Sequence, residues 1–539
     1  MEPVGHPPAP EPDVTPRMSP RMSRRGFLGV LGGAAAVAGL SACGAIGLDT
    51  PAGQTGETLT SAVPLPAPYT VPLPIPAVAR PTGTLDGADL YEITQRAADV
   101  EILPGRRTTI WGYDGIFPGP TFETRSGRPV VVRHTNRLPV PTVVHLHGGH
   151  TPADSDGWPL DLVLPVGDSS NWAHSHNGTT MIGDLAAGVR EHRYPMTQRA
   201  ATLWYHDHRM DFTGPAVYRG LAGMHIVRDD AEDALGLPDG DRELPLVICD
   251  RAFDADAAFS YPSLDRTLRT VPGVEDHWMP GVLGDVVLVN GAPWPVHDVD
   301  AARYRLRILN AANARRFVLA LKVPDGPDLP FTQIGSDGGL LAAPQRLDSI
   351  AMAPGERFDV VVDLSAVPVG TDVTLTNTLG TGSTADVLRF RVVRTARDDS
   401  RVPDRLADDV APLVPGPVMR EFSFSRGALG DTRGWTINDR SFDPDVSLAD
   451  VPLGQVETWR FRTDVHHPVH VHLDQFQVLA RDGRPPRPAD AGWKDTVDVL
   501  PAEIVDVAVR FTQYAGRYVF HCHNLEHEDM AMMATIRTV

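Results

Sequence analysis

The stretch Tyr518-Val519-Phe520-His521-Cys522-His523, with His527 and Met532 close behind it, decides how this 539-residue chain is read. Tyr, Val and Phe in succession favour a β-strand. On a strand, residues two apart share a face, so His521 and His523 point one way and Cys522 the other. A thiolate, an imidazole and a weak axial thioether make the soft site that holds copper for one-electron transfer. The two flanking imidazoles are left free to hold other metal ions.

Working outward, three more His-x-His pairs occur: His145/His147, His206/His208 and His470/His472. Val143-Val144 precedes the first and Leu203-Trp204-Tyr205 the second, so these too read as strands, each a two-toothed clamp on one face. Eight imidazoles exceed what one tetrahedral zinc can use and suit a cluster of several ions. His467 stands an odd step from His470 and His472, so it turns away from their face, with Pro468 bending the approach. Parity therefore separates two centres: Cys522 with His467, His527 and Met532, and the eight paired imidazoles. Three consecutive residues, 521–523, would join them by a short covalent route for electrons.

Elsewhere the chain shows short alternating runs between Gly, Pro and Asp turns. Tyr304-Leu306-Ile308 alternates with Arg305 and Arg307, Phe358-Val360-Val362-Leu364 with Asp359 and Asp363, and Val505-Val507-Val509-Phe511 with Asp506 and Arg510. This predicts antiparallel sheets with one wet face and an all-β sandwich architecture. Charged, turn-rich stretches at 228–243 and 397–415 divide the body into 65–230, 243–397 and 415–539. Residues 44–64 read as a flexible linker, part of a Gly/Thr/Pro-rich tether reaching to about residue 80. The first and third blocks carry every metal motif; the middle block reads as a spacer.

The runs His145-Leu146-His147-Gly148, His206-Asp207-His208, His467-Pro468-Val469-His470-Val471-His472 and His521-Cys522-His523 through Met532 resemble the four copper motifs of the multicopper oxidases. The segments WGYDGIFPGPTFE from Trp111, HLHGGHTPADSDGWP from His145 and YPMTQRAATLWYHDHRM from Tyr194 resemble the branch of spore-coat laccases, bilirubin oxidases and phenoxazinone synthases. The likeness runs from about Pro72 to the C-terminus. It implies three cupredoxin-like Greek-key domains and four copper ions. It assigns His467, Cys522, His527 and Met532 to a type 1 copper and His145 and His470 to a type 2 copper. His147, His206, His208, His472, His521 and His523 would hold a type 3 pair. An axial Met implies a modest type 1 potential. Asp156 and Glu528 match the acids that deliver protons in the branch; as plain chemistry, Asp156 also reads as an Asp-Gly turn residue and Glu528 as a partner orienting an imidazole.

The implied activity is laccase-type: single electrons from phenols or aromatic amines, passed to dioxygen, which is reduced to water. Oxidation of Cu(I), Fe(II) or Mn(II), a bilirubin-oxidase-like activity, and a copper-sequestering surface lipoprotein are the alternatives. The net charge of −19 excludes a nucleic-acid partner. Of three cysteines, Cys249 lies in an apolar run and reads as a buried small side chain, and no structural disulfide is expected. Ser23-Arg24-Arg25-Gly26-Phe27-Leu28, the apolar stretch to Leu40 and Leu40-Ser41-Ala42-Cys43 read as a twin-arginine, lipoprotein-type export signal over residues 1–43. That places the protein on the outer face of the cytoplasmic membrane, lipid-anchored through Cys43, or secreted. His174-x-His176 has no partner pair and reads as a solvated loop.

Overall fold

The computed structural model describes residues 53–168, 172, 174–176, 179–181, 183–429 and 432–539. The export segment, Cys43 included, and linker residues 44–52 lie outside them. Every large sheet stays within one of the three sequence blocks. The first block pairs a five-stranded sheet containing Ala88–Val100 and Val130–Asn136 with a four-stranded sheet containing Val144–His147 and Ala201–Asp207. The middle block pairs seven strands with five, and the third block five with five. Three two-sheet sandwiches result, each with its own apolar interior, as the alternating runs predict. Phe461, Val507 and Phe520 fill the third, and Leu306, Phe358 and Val360 the middle one.

The large sheets are mixed, not antiparallel: each holds one parallel pair, such as Ala88–Val100 with Val130–Asn136 and Glu243–Arg251 with Arg303–Asn310. Two further expectations are corrected. The first is the wet face of the middle block. Arg303–Asn310 and Arg357–Asp363 are buried on both sides, and Arg305, Arg307 and Asp359 are among their buried residues. Arg305 donates to Asp359 and to Glu232, and Arg307 donates to Glu232 (2.8 Å) and to the Thr202 hydroxyl (2.9 Å). Burial pushes the Glu232 carboxyl up, but Arg307 and Arg305 outweigh it and hold the group down to about 2. The alternation is real, but its charged side faces the first block. Sequence period distinguishes the two faces of a strand and says nothing of what covers the polar one.

The second correction concerns the linker. Glu57–Leu59 pairs in parallel with Val282–Gly284, the Ser61 amide donates to Asp285, and Val63 is buried in the middle block's core. Tyr69 and Leu73 donate their amides to the Trp294 and Val296 carbonyls. Residues 57–73 are therefore a strap docked on the middle block, held because apolar side chains interrupt an otherwise donor-poor Pro-rich run. The docked segment reaches back to Gln54, whose side chain donates to the Arg316 carbonyl and accepts its amide, so the body does not begin at 65.

Candidate metal centre

Register brings the clamps together. His206 pairs with His145 across one sheet of the first block, and His470 pairs with His521 across one sheet of the third. All eight clamp imidazoles are buried. Their ligand atoms converge in three groups: His145, His470 and His472; His147, His206 and His523; His208, His472 and His521. Each group takes side chains from both the first and the third block, so the cluster lies where those two sandwiches meet.

The second ring nitrogen of six of these histidines is anchored; among the described residues His208 has no partner at Nδ1 and His523 none at either nitrogen. Nδ1 of His145 donates to the Asp156 carbonyl (2.5 Å), Nδ1 of His470 to the Asp495 carbonyl (2.8 Å) and Nδ1 of His206 to the Asp207 carbonyl (2.8 Å). Nδ1 of His472 donates to the Asp156 carboxylate (2.8 Å), and Nδ1 of His521 lies 3.1 Å from Glu528. Nε2 of His145, His206 and His470 and Nδ1 of His147 are buried without a protein partner. Nε2 of His521 sits 3.2 Å from Nε2 of His208 and 3.3 Å from Nε2 of His472. Lone pairs crowded in this way, with the other nitrogen anchored, fit imidazole-ligated metal ions. Burial first, then neighbouring imidazoles, lowers the pKa of His145, His147, His470 and His472 well below the usual range. The rings are thereby held neutral, the form that binds metal.

The second centre forms as parity predicts. Cys522 Sγ lies 3.3 Å from His467 Nδ1 and 3.5 Å from His527 Nδ1, and the two nitrogens are 3.1 Å apart. Met532 is buried in the same core; its carbonyl accepts the Cys522 amide and its amide donates to the His527 carbonyl. Burial pushes the Cys522 thiol pKa well up, so the thiolate a copper site needs would form only as metal replaces the proton.

Asp156 joins two imidazoles, through its carbonyl to His145 and its carboxylate to His472, and burial raises its carboxyl pKa well above the usual range. Glu528 sits between His521 and His208, at 3.1 and 3.7 Å. Burial opposes its charge, but His521 and His208 outweigh burial and hold its pKa low. Asp207 faces away, accepting the Arg209 and Val143 amides.

Several residues at these centres have no local signal in the sequence. Trp435 stacks on His527 with ring centroids 3.8 Å apart and meets His467 edge-on at 5.5 Å. Asp464 accepts His467 Nε2 (3.2 Å), and the Pro280 carbonyl accepts His527 Nε2 (3.1 Å). The middle block supplies none of the motif histidines, yet it is more than a spacer. Gly355, at φ +87°, passes so close that a Cβ there would lie 3.0 Å from the His523 ring and 3.2 Å from His147 Cε1.

Other histidines serve elsewhere. His225 bonds Thr124 (2.8 Å), His192 bonds the Ser155 carbonyl (3.2 Å), His466 pairs with Asp498, and His150 pairs with Asp474 (3.1 Å). His174–His176 forms a short strand whose side chains lie outside the described residues. Cys249 is buried and free, and Cys522 is free as well.

Models of the family described as "Multicopper oxidase" match residues 417–539 and, in two overlapping stretches, 94–183 and 169–232. A laccase of Bacillus subtilis (strain 168) is 35% identical, over 86% of this chain and 96% of that protein. A bilirubin oxidase of Albifimbria verrucaria is 36% identical, over 86% of this chain and 80% of that one. The crystal structure of a multi-copper oxidase from Pediococcus acidilactici superposes with a TM-score of 0.75 at 30% identity, covering 90% of this chain and 93% of that one. With three sandwiches of the cupredoxin type, two clusters of buried copper-suited side chains and relatives of this kind over most of its length, this chain belongs to the multicopper oxidases, copper-dependent oxidoreductases that use dioxygen.

Proposed function

We propose that the protein is a laccase-type oxidase holding four copper ions, taking single electrons from phenolic or aromatic-amine reductants and reducing dioxygen to water. In this reading His467, Cys522, His527 and Met532 hold the type 1 copper. His145 and His470 hold the type 2 copper, and His147, His206, His208, His472, His521 and His523 hold the type 3 pair. The observation that carries it is the alternation at 521–523: Cys522 belongs to one centre and its two neighbours to the other. When bound, the copper ions would supply the one-electron relay and the four-electron chemistry of dioxygen. The protein's part is to orient imidazoles, exclude water and hold protons. Asp156 fixes His145 and His472 and, with burial favouring its protonated form, can give a proton to the cluster; Glu528, kept ionised against His521 and His208, can accept a proton and pass it on.

An organic reductant is favoured over a metal ion by what the surface lacks. Among the described residues every group of three His, Cys, Asp or Glu ligand atoms is buried and belongs to the two centres. Among these residues a metal ion would therefore find no ready-made outer site. Oxygen uptake by copper-loaded protein on a panel of phenols, aromatic amines, bilirubin, Cu(I), Fe(II) and Mn(II) tests this. Faster turnover on one of the metal ions than on any phenol would replace the laccase reading with the metallo-oxidase one.

Export and lipid attachment at Cys43 belong to the same proposal, supported by the twin arginines and the Leu40-Ser41-Ala42-Cys43 run. No helix among the described residues is long and apolar enough to cross a membrane. Arg24→Lys with Arg25→Lys should trap the precursor inside the cell, and Cys43→Ala should release the protein. An unmodified N-terminus beyond Cys43 in the medium would argue for secretion.

A further inference from the structure

A cation beside the cluster comes from the middle domain, which holds no metal motif. Arg357 is fully buried. Its Nη1 and Nη2 donate to the two carboxylate oxygens of Asp495 at 2.7 and 2.5 Å, a two-pronged grip across the junction with the third domain. Its Nε donates to the Thr202 carbonyl (2.9 Å), on the first-domain strand Ala201–Asp207 that carries His206. Nη1 also donates to the Gly355 carbonyl (2.9 Å), fixing the glycine that passes against His147 and His523. One side chain thus ties all three domains together beside the cluster.

Asp495 is the other half of the device. Its Oδ1 accepts His147 Nε2 (3.0 Å) and the Thr496 hydroxyl (2.9 Å), and its carbonyl accepts His470 Nδ1 (2.8 Å). His147 therefore differs from five of its neighbours. His145, His206, His470, His472 and His521 are anchored through Nδ1, whereas His147 is anchored through Nε2 and leaves Nδ1 without a partner. The acceptor that reverses the ring is a buried carboxylate, which needs a cation beside it. Lys494, the neighbouring ammonium, is taken up by Asp337 and Glu356 at 3.1 Å each, which leaves the role to Arg357.

We propose that Arg357 is a positioning residue for the trinuclear cluster: by gripping both oxygens of Asp495 it fixes that acceptor against His147 Nε2 and so sets Nδ1 as the metal-facing atom. The inference rests on the reading that His147 and His470 hold copper. It assigns the middle domain a share in the oxygen-reducing site.

The test uses copper-loaded full-length protein and four variants: Arg357→Lys, Arg357→Met, Asp495→Leu, and the last two combined. Copper per chain, the EPR signal of the non-thiolate copper, the blue absorbance and Tm are read for each. Arg357→Met and Asp495→Leu are expected to lower Tm and to lose at least one copper per chain while staying blue. Arg357→Lys, which keeps the charge without the fork, is expected to keep its fold and show an altered non-thiolate signal. The double variant leaves no buried charge alone, so its Tm should recover, yet the missing copper and the original signal should not return. If the double variant regained both Tm and the wild-type copper signature, or if Arg357→Lys matched wild type throughout, Arg357 would only join domains and the inference would fall. If wild-type protein took up only its blue copper, the functional reading would fail first.

Discussion

The two centres lie one residue apart in sequence and are built in opposite ways. The set proposed for the type 1 copper comes from one domain, within residues 467–532, with Cys522 and Met532 in that domain's own core. The cluster draws its imidazoles from two domains and is braced by a third through Gly355 and Arg357. The first centre therefore takes all its side chains from one sandwich, with His527 anchored from outside by the Pro280 carbonyl, whereas the second depends on three sandwiches staying in register. Loss of one should be separable from loss of the other, and that separability can be attacked experimentally.

The largest effect is expected at the shared residue. Cys522→Ser should remove the blue colour and abolish turnover while leaving the cluster copper loaded, because no cluster imidazole is touched. Phenol oxidation that survived this change would break the assignment of electron entry. Next come the acids on the cluster side. Asp156→Asn and Glu528→Gln should slow reoxidation by oxygen about 10- to 100-fold, the usual cost of disturbing groups behind metal ligands. Reduction of the type 1 centre by substrate should be nearly unchanged. Stopped-flow traces of the two half-reactions decide this; a defect confined to reduction would contradict it.

Acid should loosen the cluster before the type 1 centre. The first domain, which supplies four cluster imidazoles and none to the type 1 set, buries His192 and His225, whose pKa values burial lowers to about 4 and about 3. An unfolded chain protonates these rings near pH 6.5 and the folded one does not. Their contribution is thus fully present above pH 6.5 and is lost as pH falls toward those values. The slope is about 1.4 kcal/mol per pH unit for each ring. Between pH 7 and 4.5, Tm should fall, and cluster copper should be released while the blue band persists. A blue band that vanished first would reverse the comparison. The smallest effect is expected from Met532→Leu. It should keep the colour and raise the type 1 potential by about 59 mV, one tenfold step for a one-electron couple, with the cluster unaltered. A potential that did not move would argue that Met532 is not axial.

How much of this was legible in the sequence follows from the range of each signal. Strand parity is local, so the opposed faces of Cys522 and His521/His523 could be read from three letters. The sandwich architecture could be read from alternating runs. What covers a face is not local. Arg305, Arg307 and Asp359 alternate as a solvent-facing strand would, yet they form the seam with the first domain. Asp495 and Arg357 escaped notice for a related reason. Each is a single charged residue whose partner lies 138 positions away, and no spacing rule links them. Trp435 carries no sign of its role in the sequence, because an aromatic on a strand reads as core. The strap at 57–73 reads as a tether because its prolines obscure the apolar anchors between them.

That strap also sets how the molecule could be wired. Glu57 donates its amide to the Gly281 carbonyl, one residue beyond the Pro280 carbonyl that accepts His527. The first docked residues, from Gln54, thus run past the Cys522 centre. On the proposed reading, an enzyme attached to an electrode through a linker ahead of Gln54 would present its type 1 side to the conductor and shorten the tunnelling gap. A bulky fusion placed at the same point would crowd the approach of dissolved donors.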